Sequence, residues 1–251
     1  MATYRVTGIN LKAMPLGESD RLVSVLTAER GLLRLAAPGA RKPKSGLGGR
    51  TALFVVNDLA IARGRSLDRI QQAETLHTFT GLSRSLAHLT AAQYLAEVTL
   101  IQALSDQPQP ELLTTLLCHL EDVQEAADDW AVLVGLNRGL YRLLEIAGIA
   151  PTWDRCCTTG QPLPQRDRHP FSAAAGGVVA TPNGIPISHS LTAQQVQAFA
   201  ELAASQPGFQ PDRRWERTTW LTMEAVLRAC AHAHFERKIR AADLLSSCFS
   251  P

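Results

Sequence analysis

The chain has 251 residues, 45% of them apolar, with 25 basic and 23 acidic side chains and a net charge of +2. This length and apolar content predict one large or two small folded domains and exclude a disordered tail protein. Residues 1–80 hold 12 Lys/Arg against 6 Asp/Glu, whereas residues 81–251 hold 13 against 17, so a polyanionic partner is expected at the first part alone.

Five short segments rich in β-branched and aliphatic residues predict five β-strands, at 4–14, 21–27, 32–37, 52–62 and 70–76. The stretch between the third and fourth strands, 38–49, is rich in Gly, Pro, Lys and Arg and is predicted to be a loop. Five short strands in so few residues predict a small closed barrel, for which the OB-fold is the common solution. We therefore expect residues 1–79 to form one OB-fold domain.

From residue 80 on, apolar residues recur at helical spacing and predict an amphipathic helix that ends at Gln107-Pro108. A second helix is expected to begin at Pro110, and a third is expected over 129–146. These helices make residues 80–148 the first part of a helical domain.

Residues 149–190 interrupt the helical pattern with six prolines and four glycines, which predicts a loop-rich insertion. Helical spacing returns after Ser190, the expected N-cap, and again over 215–245. Residues 191–251 are therefore the second part of the helical domain. The predicted fold class is α+β in several domains: a barrel, a helical bundle and an insertion within the bundle.

No stretch reaches the roughly 18–20 consecutive apolar residues that cross a membrane, and the N-terminus lacks the apolar run of a signal peptide. The chain has an odd number of cysteines without the spacing of a disulfide framework: Cys118, Cys156, Cys157, Cys230 and Cys248. We therefore expect a soluble cytoplasmic protein with reduced thiols.

The loop after the third strand carries the strongest functional signal. Six basic residues and no acidic one lie between Arg30 and Arg50. Glycines let backbone amides approach phosphate, and Lys and Arg side chains supply the charge. The alternatives are a solvated turn, or a P-loop, which the sequence disfavours because Pro43 stands where a glycine must precede Lys44.

On a five-stranded barrel, such a loop predicts nucleic-acid binding. Residues 1–80 contain few aromatic residues on which bases could stack, namely Tyr4, Phe54 and Phe79. Phosphate contacts are therefore expected to dominate, with weak sequence preference and a steep salt dependence. The predicted DNA-binding residues are Arg21, Arg34, Arg41, Lys42, Lys44 and Arg50.

The helical half contains a second basic group, Arg213, Arg214 and Arg217, followed by Trp220. This group is either a solvated face or a groove for an acidic peptide with hydrophobic side chains, and the sequence leaves both open. The HExxH and GxSxG patterns are absent, and no cysteine has an activating partner. We therefore expect a protein that is not an enzyme.

Several motifs follow one another in the order of a known family. Tyr4, the segment 17–21 (GESDR), Leu26-Thr27, Gly31 and the segment 39–45 (GARKPKS) resemble the N-terminal pattern of the RecO family of bacterial recombination mediators. The resemblance is strong over residues 1–76. Beyond them it rests on the order of barrel, helices, insertion and helices, together with short matches such as Phe171-Ser172 and Gly176-Gly177.

The resemblance implies a protein of DNA repair and homologous recombination that binds single- and double-stranded DNA and anneals complementary strands. It also implies help in loading recombinase onto strands coated by single-strand-binding protein. The implied partners are RecR and the acidic C-terminal tail of single-strand-binding protein, and the implied location is the nucleoid. For the tail, the Arg213–Trp220 group is our own candidate site. An adaptor that binds only proteins through its OB-fold is the alternative.

Many family members carry a four-cysteine zinc site in the insertion. Here Cys156 stands at the first ligand position, but Thr159, Ala180 and Asn183 stand at the other three. The adjacent Cys157 could replace only one of the missing ligands, and structural zinc needs four. We therefore expect a degenerate, metal-free version of this insertion and no cofactor.

Overall fold

The computed structural model describes residues 2–205 and 213–249. These residues divide into two compact units, and each is described by itself. The first holds the residues up to Gly81 together with Gln102–Leu117, and the second holds Leu82–Ile101 and the described residues from Cys118 on. Within the described ranges, no helix combines the length and the apolar character that a membrane crossing requires.

Five β-strands close into a barrel in the first unit, and this confirms the predicted OB-fold. Their order around the barrel is β1-β2-β3-β5-β4, and β4 pairs with β1 to complete the circle. All neighbours are antiparallel except β3 and β5, which pair in parallel. The strands are β1 (Thr3–Leu16), β2 (Asp20–Thr27), β3 (Gly31–Ala37), β4 (Val55–Ala62) and β5 (Asp68–Thr78).

The barrel interior is filled by alternate residues of its strands. These buried side chains include Val23, Val25, Leu33, Leu35, Leu59 and Ile61. Burying each one stabilises the fold by about 1.5–3 kcal/mol. Because side chains alternate along a strand, the residues between them, such as Ser24 and Arg34, face outward.

Residues 102–117 pack on the turn between β2 and β3. The Leu32 N–H donates to the Leu104 carbonyl at 2.9 Å, and the Gln109 N–H donates to the Ala28 carbonyl at 2.9 Å. Gly31 lies at this contact with a φ of +61°, and a Cβ there would lie 2.2 Å from the Leu104 oxygen. Only glycine fits this position, because it tolerates the left-handed conformation and leaves room for the neighbouring backbone.

Six helices are described: α1 (Leu86–Gln102), α2 (Pro110–Glu125), α3 (Asp129–Ile146), α4 (Ala193–Ala204), α5 (Arg217–Phe235) and α6 (Leu245–Cys248). The start of α2 and both ends of α3 fall where the sequence predicts them. The Asp128 side chain caps α3 by accepting from the Ala131 N–H at 2.8 Å, and Gly148 follows its end with a φ of +73°.

Three helix predictions need correction. The N-cap of α4 is Thr192, which forms a capping box with Gln195, whereas Ser190 lies in a strand. The last long helix ends at Phe235 because Glu236 adopts the left-handed conformation with a φ of +53°. The first helix spans Leu86–Gln102 and not the whole of 80–107. It is also not amphipathic: of its residues, Leu86 alone is exposed, because the helix runs through the core.

The insertion contains a small sheet that the sequence analysis did not predict. Its strands are β6 (Arg168–Ser172), β7 (Gly177–Val178) and β8 (His189–Thr192), in the order β7-β6-β8. Strands this short carry almost no alternation pattern. The Trp153 ring stacks on the Phe171 ring with centroids 5.3 Å apart and meets the Phe199 ring edge-on at 5.0 Å, which gives the insertion an aromatic core.

Candidate nucleic-acid interface

The segment between β3 and β4, residues 38–54, is an ordered run of turns, and we call it the basic loop. Two buried asparagines of the barrel hold its backbone. The Asn10 side-chain amide donates to the carbonyls of Arg50 at 2.8 Å and Ala52 at 2.9 Å, and the Asn57 amide donates to the same Arg50 carbonyl at 2.9 Å. The basic loop therefore has its shape before any ligand arrives.

The loop also closes one end of the barrel. Ala40 is part of the barrel core, and Leu47 packs against it. Arg21, one of the predicted phosphate contacts, uses a terminal guanidinium nitrogen to donate to the Gly48 carbonyl at 2.8 Å and to the Thr51 hydroxyl at 3.1 Å. Arg21 is half-buried, so its visible role is to hold the loop from below.

The other four predicted cations of the loop are exposed: Arg41, Lys42, Lys44 and Arg50. Arg41 donates to the carbonyls of Gly17 and Glu18, both at 3.1 Å, and so ties the loop to the β1–β2 turn. These bonds fix the orientation of the Arg41 guanidinium while the side chain stays exposed. The loop thus presents several cations at positions set by the backbone beneath them.

The outer face of the barrel extends this positive surface. Lys12 on β1 lies opposite Ser24 on β2, and Ser24 lies opposite the predicted site residue Arg34 on β3. Neighbouring strands are about 4.8 Å apart, which places the Lys12 and Arg34 backbones about 10 Å apart with a small residue between them. Arg69 on β5 pairs with Ala36, two residues along β3 from Arg34.

We call the exposed cations Lys12, Arg34 and Arg69 the basic face. The sequence analysis predicted Arg34 alone. Lys12 was missed because a bulge between Asn10 and Lys12 breaks the alternation along β1. Arg69 was missed because it joins the face only through the parallel β3–β5 pairing, and pairing between distant segments has no local signal in the sequence.

One carboxylate lies at the junction of the basic loop and the basic face. The Asp20 carboxylate accepts from the Gly39 N–H at 2.8 Å and from the Ser19 hydroxyl at 2.9 Å. These two bonds lower the pKa of Asp20. The positive charges of Arg69 and Lys42 lower this pKa further. Asp20, at the start of β2, therefore connects the basic loop to the barrel.

The second predicted group, in the helical unit, is only partly accessible. Arg213 forms an ion pair with Asp128 at 2.7 Å, and Arg214 forms one with Glu201 at 2.6 Å. Arg217 is half-buried. Trp220 is 1% exposed, because it faces the core from α5, so its ring offers no surface to a peptide.

Two other tryptophans lie beside these arginines. The Arg213 guanidinium carbon lies 4.9 Å from the centre of the Trp130 ring, and that of Arg214 lies 4.7 Å from the centre of the Trp215 ring. Trp130 is half-buried and meets Trp220 edge-on at 6.4 Å. The accessible aromatic surface of this group is therefore Trp130, which the sequence analysis did not single out.

The insertion contains the four positions at which the sequence resemblance implies zinc ligands. The structure does bring the first and third ligand positions together, since the Ala180 N–H donates to the Cys156 sulfur at 3.3 Å, but the alanine side chain has no atom that could bind zinc. The Thr158 hydroxyl lies 3.2 Å from the same sulfur. The Ala180 N–H and the hydroxyls of Thr158 and Thr159 lower the pKa of Cys156 to about 6.

Hydrogen-bond donors thus surround the Cys156 sulfur where zinc would need further ligands. In the part of the chain that the structure describes, no group of three or more His, Cys, Asp and Glu side chains is placed to hold a metal ion. The residues present at the four ligand positions do not fit zinc.

Comparison with known proteins identifies the family. Residues 1–79 match the model "Recombination protein O N terminal" and residues 83–242 match "Recombination protein O C terminal". "DNA repair protein RecO" of Cyanothece sp. is 43% identical, with 100% of this chain and 97% of the relative covered. The protein of the same name from Gloeobacter violaceus is 44% identical, covering 99% and 95%, and that from Synechococcus sp. (strain JA-3-3Ab) is 47% identical, covering 99% and 86%. The chain therefore belongs to the RecO family of DNA repair proteins.

Proposed function

We propose that this protein is a recombination mediator without enzymatic activity, which binds single- and double-stranded DNA and anneals complementary strands. Membership of the RecO family places it in DNA repair and recombination. We further propose that it helps load recombinase onto strands coated by single-strand-binding protein, at the nucleoid in the cytoplasm. The observation that carries the proposal is the basic loop, whose exposed cations stand on a backbone fixed by buried amides.

Phosphate contacts explain how such a surface would work. Phe54 and Phe79 are buried, so the barrel does not offer these rings for stacking with bases. Lys42, Lys44 and the basic face would instead neutralise phosphates and release the counterions condensed on DNA. Annealing needs no covalent chemistry, because base pairing drives it once the repulsion between two strands is screened. Binding should then be nearly independent of sequence.

Two protein partners are part of the proposal: RecR and the acidic C-terminal tail of single-strand-binding protein. For the tail, we propose the surface formed by Arg213, Arg214 and Arg217, with Trp130 as the aromatic contact. Trp220 would support the Trp130 ring from behind through their edge-on contact at 6.4 Å. An acidic peptide would compete with Asp128 and Glu201 for the guanidinium groups.

The first experiment measures the binding of labelled single-stranded and duplex DNA by fluorescence anisotropy across a range of salt, together with the rate of strand annealing without nucleotide. We expect binding to weaken steeply with salt. The double variant Lys42→Gln/Lys44→Gln should flatten the slope of log K against log salt by about 1.8 on duplex DNA if each lysine contacts one phosphate. Annealing should slow in parallel.

The matched control is Arg237→Gln/Arg240→Gln, which removes the same charge from two exposed residues of the helical unit. It should leave the salt slope unchanged. A wild-type protein that binds no DNA even at low salt would overturn the proposal and favour a protein-only adaptor. If both double variants changed the slope equally, DNA binding would not be specific to the basic loop, which would overturn the loop as its site.

A separate experiment tests the tail surface. We expect charge reversal at Arg213 and Arg214 to weaken the binding of a tail peptide by at least tenfold, measured by anisotropy of the labelled peptide. DNA binding in the same variant should not change, since both residues lie in the helical unit. Unchanged peptide affinity would refute this placement of the tail.

A further inference from the structure

A cleft with a basic rim lies beside α5, within the helical unit, and we call it the α5 cleft. Its volume is about 340 Å³, which is in the range of pockets that hold small molecules. Among the described residues that line the cleft there is no Asp or Glu. The lining residues that carry a positive charge, or gain one on protonation, are His189, Arg228, His232, Arg237 and Lys238.

Three elements bring these side chains together. Arg228 and His232 are four residues apart and therefore lie on the same face of α5. Glu236 ends α5 with a left-handed φ of +53°, and the residues after it line the same cleft. His232 Nδ1 lies 3.5 Å from the Arg237 carbonyl oxygen, which keeps this segment close to the helix. His189, the first residue of β8, completes the rim.

A buried carboxylate fixes the orientation of Arg228. Glu224 is 3% exposed, and its carboxylate accepts from the Tyr94 hydroxyl at 2.7 Å and from Arg228 Nε at 2.9 Å. A buried ion pair often stabilises a fold no more than apolar side chains of the same volume do. Its clearest effect here is on geometry, because it holds the guanidinium at the cleft before a ligand arrives. One terminal nitrogen of Arg228 lies 3.5 Å from Glu224, and the other has no partner among the described residues.

The other basic groups are also available to a ligand. Arg237 is exposed and forms no ion pair in the described part of the chain. Lys238 pairs with Asp243 at 2.7 Å, but both side chains are more than half exposed, and such a pair contributes at most about 1 kcal/mol. Burial and the charge of Arg228 lower the pKa of His189, so a negatively charged ligand in the cleft would favour protonation of this imidazole.

The chemistry of the cleft favours a phosphate group. One guanidinium satisfies both oxygens of a carboxylate, whereas a phosphate monoester has three acceptor oxygens and about two negative charges to be met by several donors. Ala229 and Ile239 give the cleft an apolar wall, which would contact the carbon part of such a molecule. DNA is disfavoured, because residues 81–251 hold 13 basic against 17 acidic side chains and repel a long polyanion.

We infer that the α5 cleft binds a small molecule that carries a phosphate monoester. Arg228 and Arg237 would donate to the phosphate oxygens, and Lys238 would add charge at the rim. Glu224 would act as a positioning residue for the Arg228 guanidinium. This inference does not depend on the proposed function, since it involves neither the barrel nor DNA.

The test is a calorimetric titration with inorganic phosphate at constant ionic strength, with succinate as a dianion that lacks phosphate. We expect saturable phosphate binding and at least tenfold weaker binding of succinate. Arg237→Gln should weaken phosphate binding at least tenfold. Arg228→Lys should do the same, because lysine keeps the charge but lacks the guanidinium fork. The matched control is Arg240→Gln, an exposed arginine of the same segment that does not line the cleft, and it should bind phosphate as the wild type does.

A second control separates the cleft from the basic loop. Lys42→Gln/Lys44→Gln should keep wild-type phosphate binding, because both lysines lie in the barrel unit. If this variant loses phosphate binding while Arg237→Gln keeps it, the phosphate binds at the basic loop and the inference is wrong.

Three further results would refute the inference: no saturable phosphate binding by the wild type, equal affinity for succinate, or equal weakening by Arg240→Gln and Arg237→Gln. If Arg228→Lys does not fold, Arg237→Gln decides alone, since it changes only an exposed side chain. Failure of the proposed function would show separately, as a loss of DNA binding in the anisotropy experiment.

Discussion

The anchoring of the basic loop by Asn10 gives the sharpest prediction about the proposed site. Asn10→Ala removes two hydrogen bonds, of 2.8 and 2.9 Å, to the carbonyls of Arg50 and Ala52. Arg50 keeps its bond from Asn57 at 2.9 Å, but the Ala52 carbonyl loses the Asn10 donor. Each lost bond costs about 1 kcal/mol, and because Ala52 is exposed, water can replace the lost donor at its carbonyl.

One contribution has the opposite sign. The Asn10 side-chain oxygen is buried without a hydrogen-bond partner in the described structure, so alanine removes an unsatisfied acceptor. The net loss in the free energy of unfolding is therefore expected at about 1–2 kcal/mol. Asn10→Asp keeps the shape of the side chain but directs a carboxylate oxygen at two carbonyls, so it should destabilise the barrel at least as much as alanine does.

Urea unfolding and limited trypsin digestion at Lys44 measure these effects. Asn10→Ala should unfold at lower urea, be cut faster in the loop and bind DNA more weakly, because the loop must then be ordered during binding. The salt slope should stay at the wild-type value, because no charge has changed. Wild-type stability together with a wild-type cleavage rate would show that the asparagine does not hold the loop.

Further predictions concern the insertion and the β2–β3 turn. The folded-state pKa of Cys156 is about 6 against an ordinary value of 9.0, so its thiolate stabilises the fold fully above pH 9 and this contribution is lost as pH falls through 6. Cys156→Ser should therefore differ most from the wild type in urea unfolding near pH 9 and least near pH 5; a constant difference would refute the role of the thiolate. Gly31→Ala should cost several kcal/mol or prevent folding, because its Cβ would lie 2.2 Å from the Leu104 oxygen. Gly17→Ala is the matched control: its φ is similar at +62°, but nothing lies within 4 Å of the added Cβ, so it should cost only about 1–2 kcal/mol. Equal losses of stability in the two glycine variants would refute the contribution of the close contact.

The sequence predicts elements well where the signal is local. The third helix was predicted over 129–146 and spans Asp129–Ile146, because a capping aspartate begins it and Gly148 follows its end. The five barrel strands were found through alternation and turn residues. The strands of the insertion were missed because they are too short to show alternation, and because Phe171 also pairs with His189, eighteen residues away.

The sequence predicted which residues belong to the candidate site better than it predicted which way their side chains point. The cations of the basic loop are exposed as expected, yet Arg21 holds the loop from below and Trp220 lies in the core. A basic or aromatic residue in the sequence does not reveal which way its side chain points. That direction depends on strand register and helix packing, which also decide that Lys12 and Arg69 flank the same face as Arg34.

The barrel closes through a short parallel pairing between β3 and β5, which we call the seam. The seam consists of two pairs, Leu35 opposite Asp68 and Ala36 opposite Arg69. In contrast, β2 pairs with β3 at every residue from Arg21 to Thr27. Local opening begins where the fewest backbone bonds must break, so amide hydrogen exchange should be fastest at this seam among the barrel strands. Arg34 and Arg69 lie on its two sides, and a DNA strand bound to both would bridge it and slow that exchange.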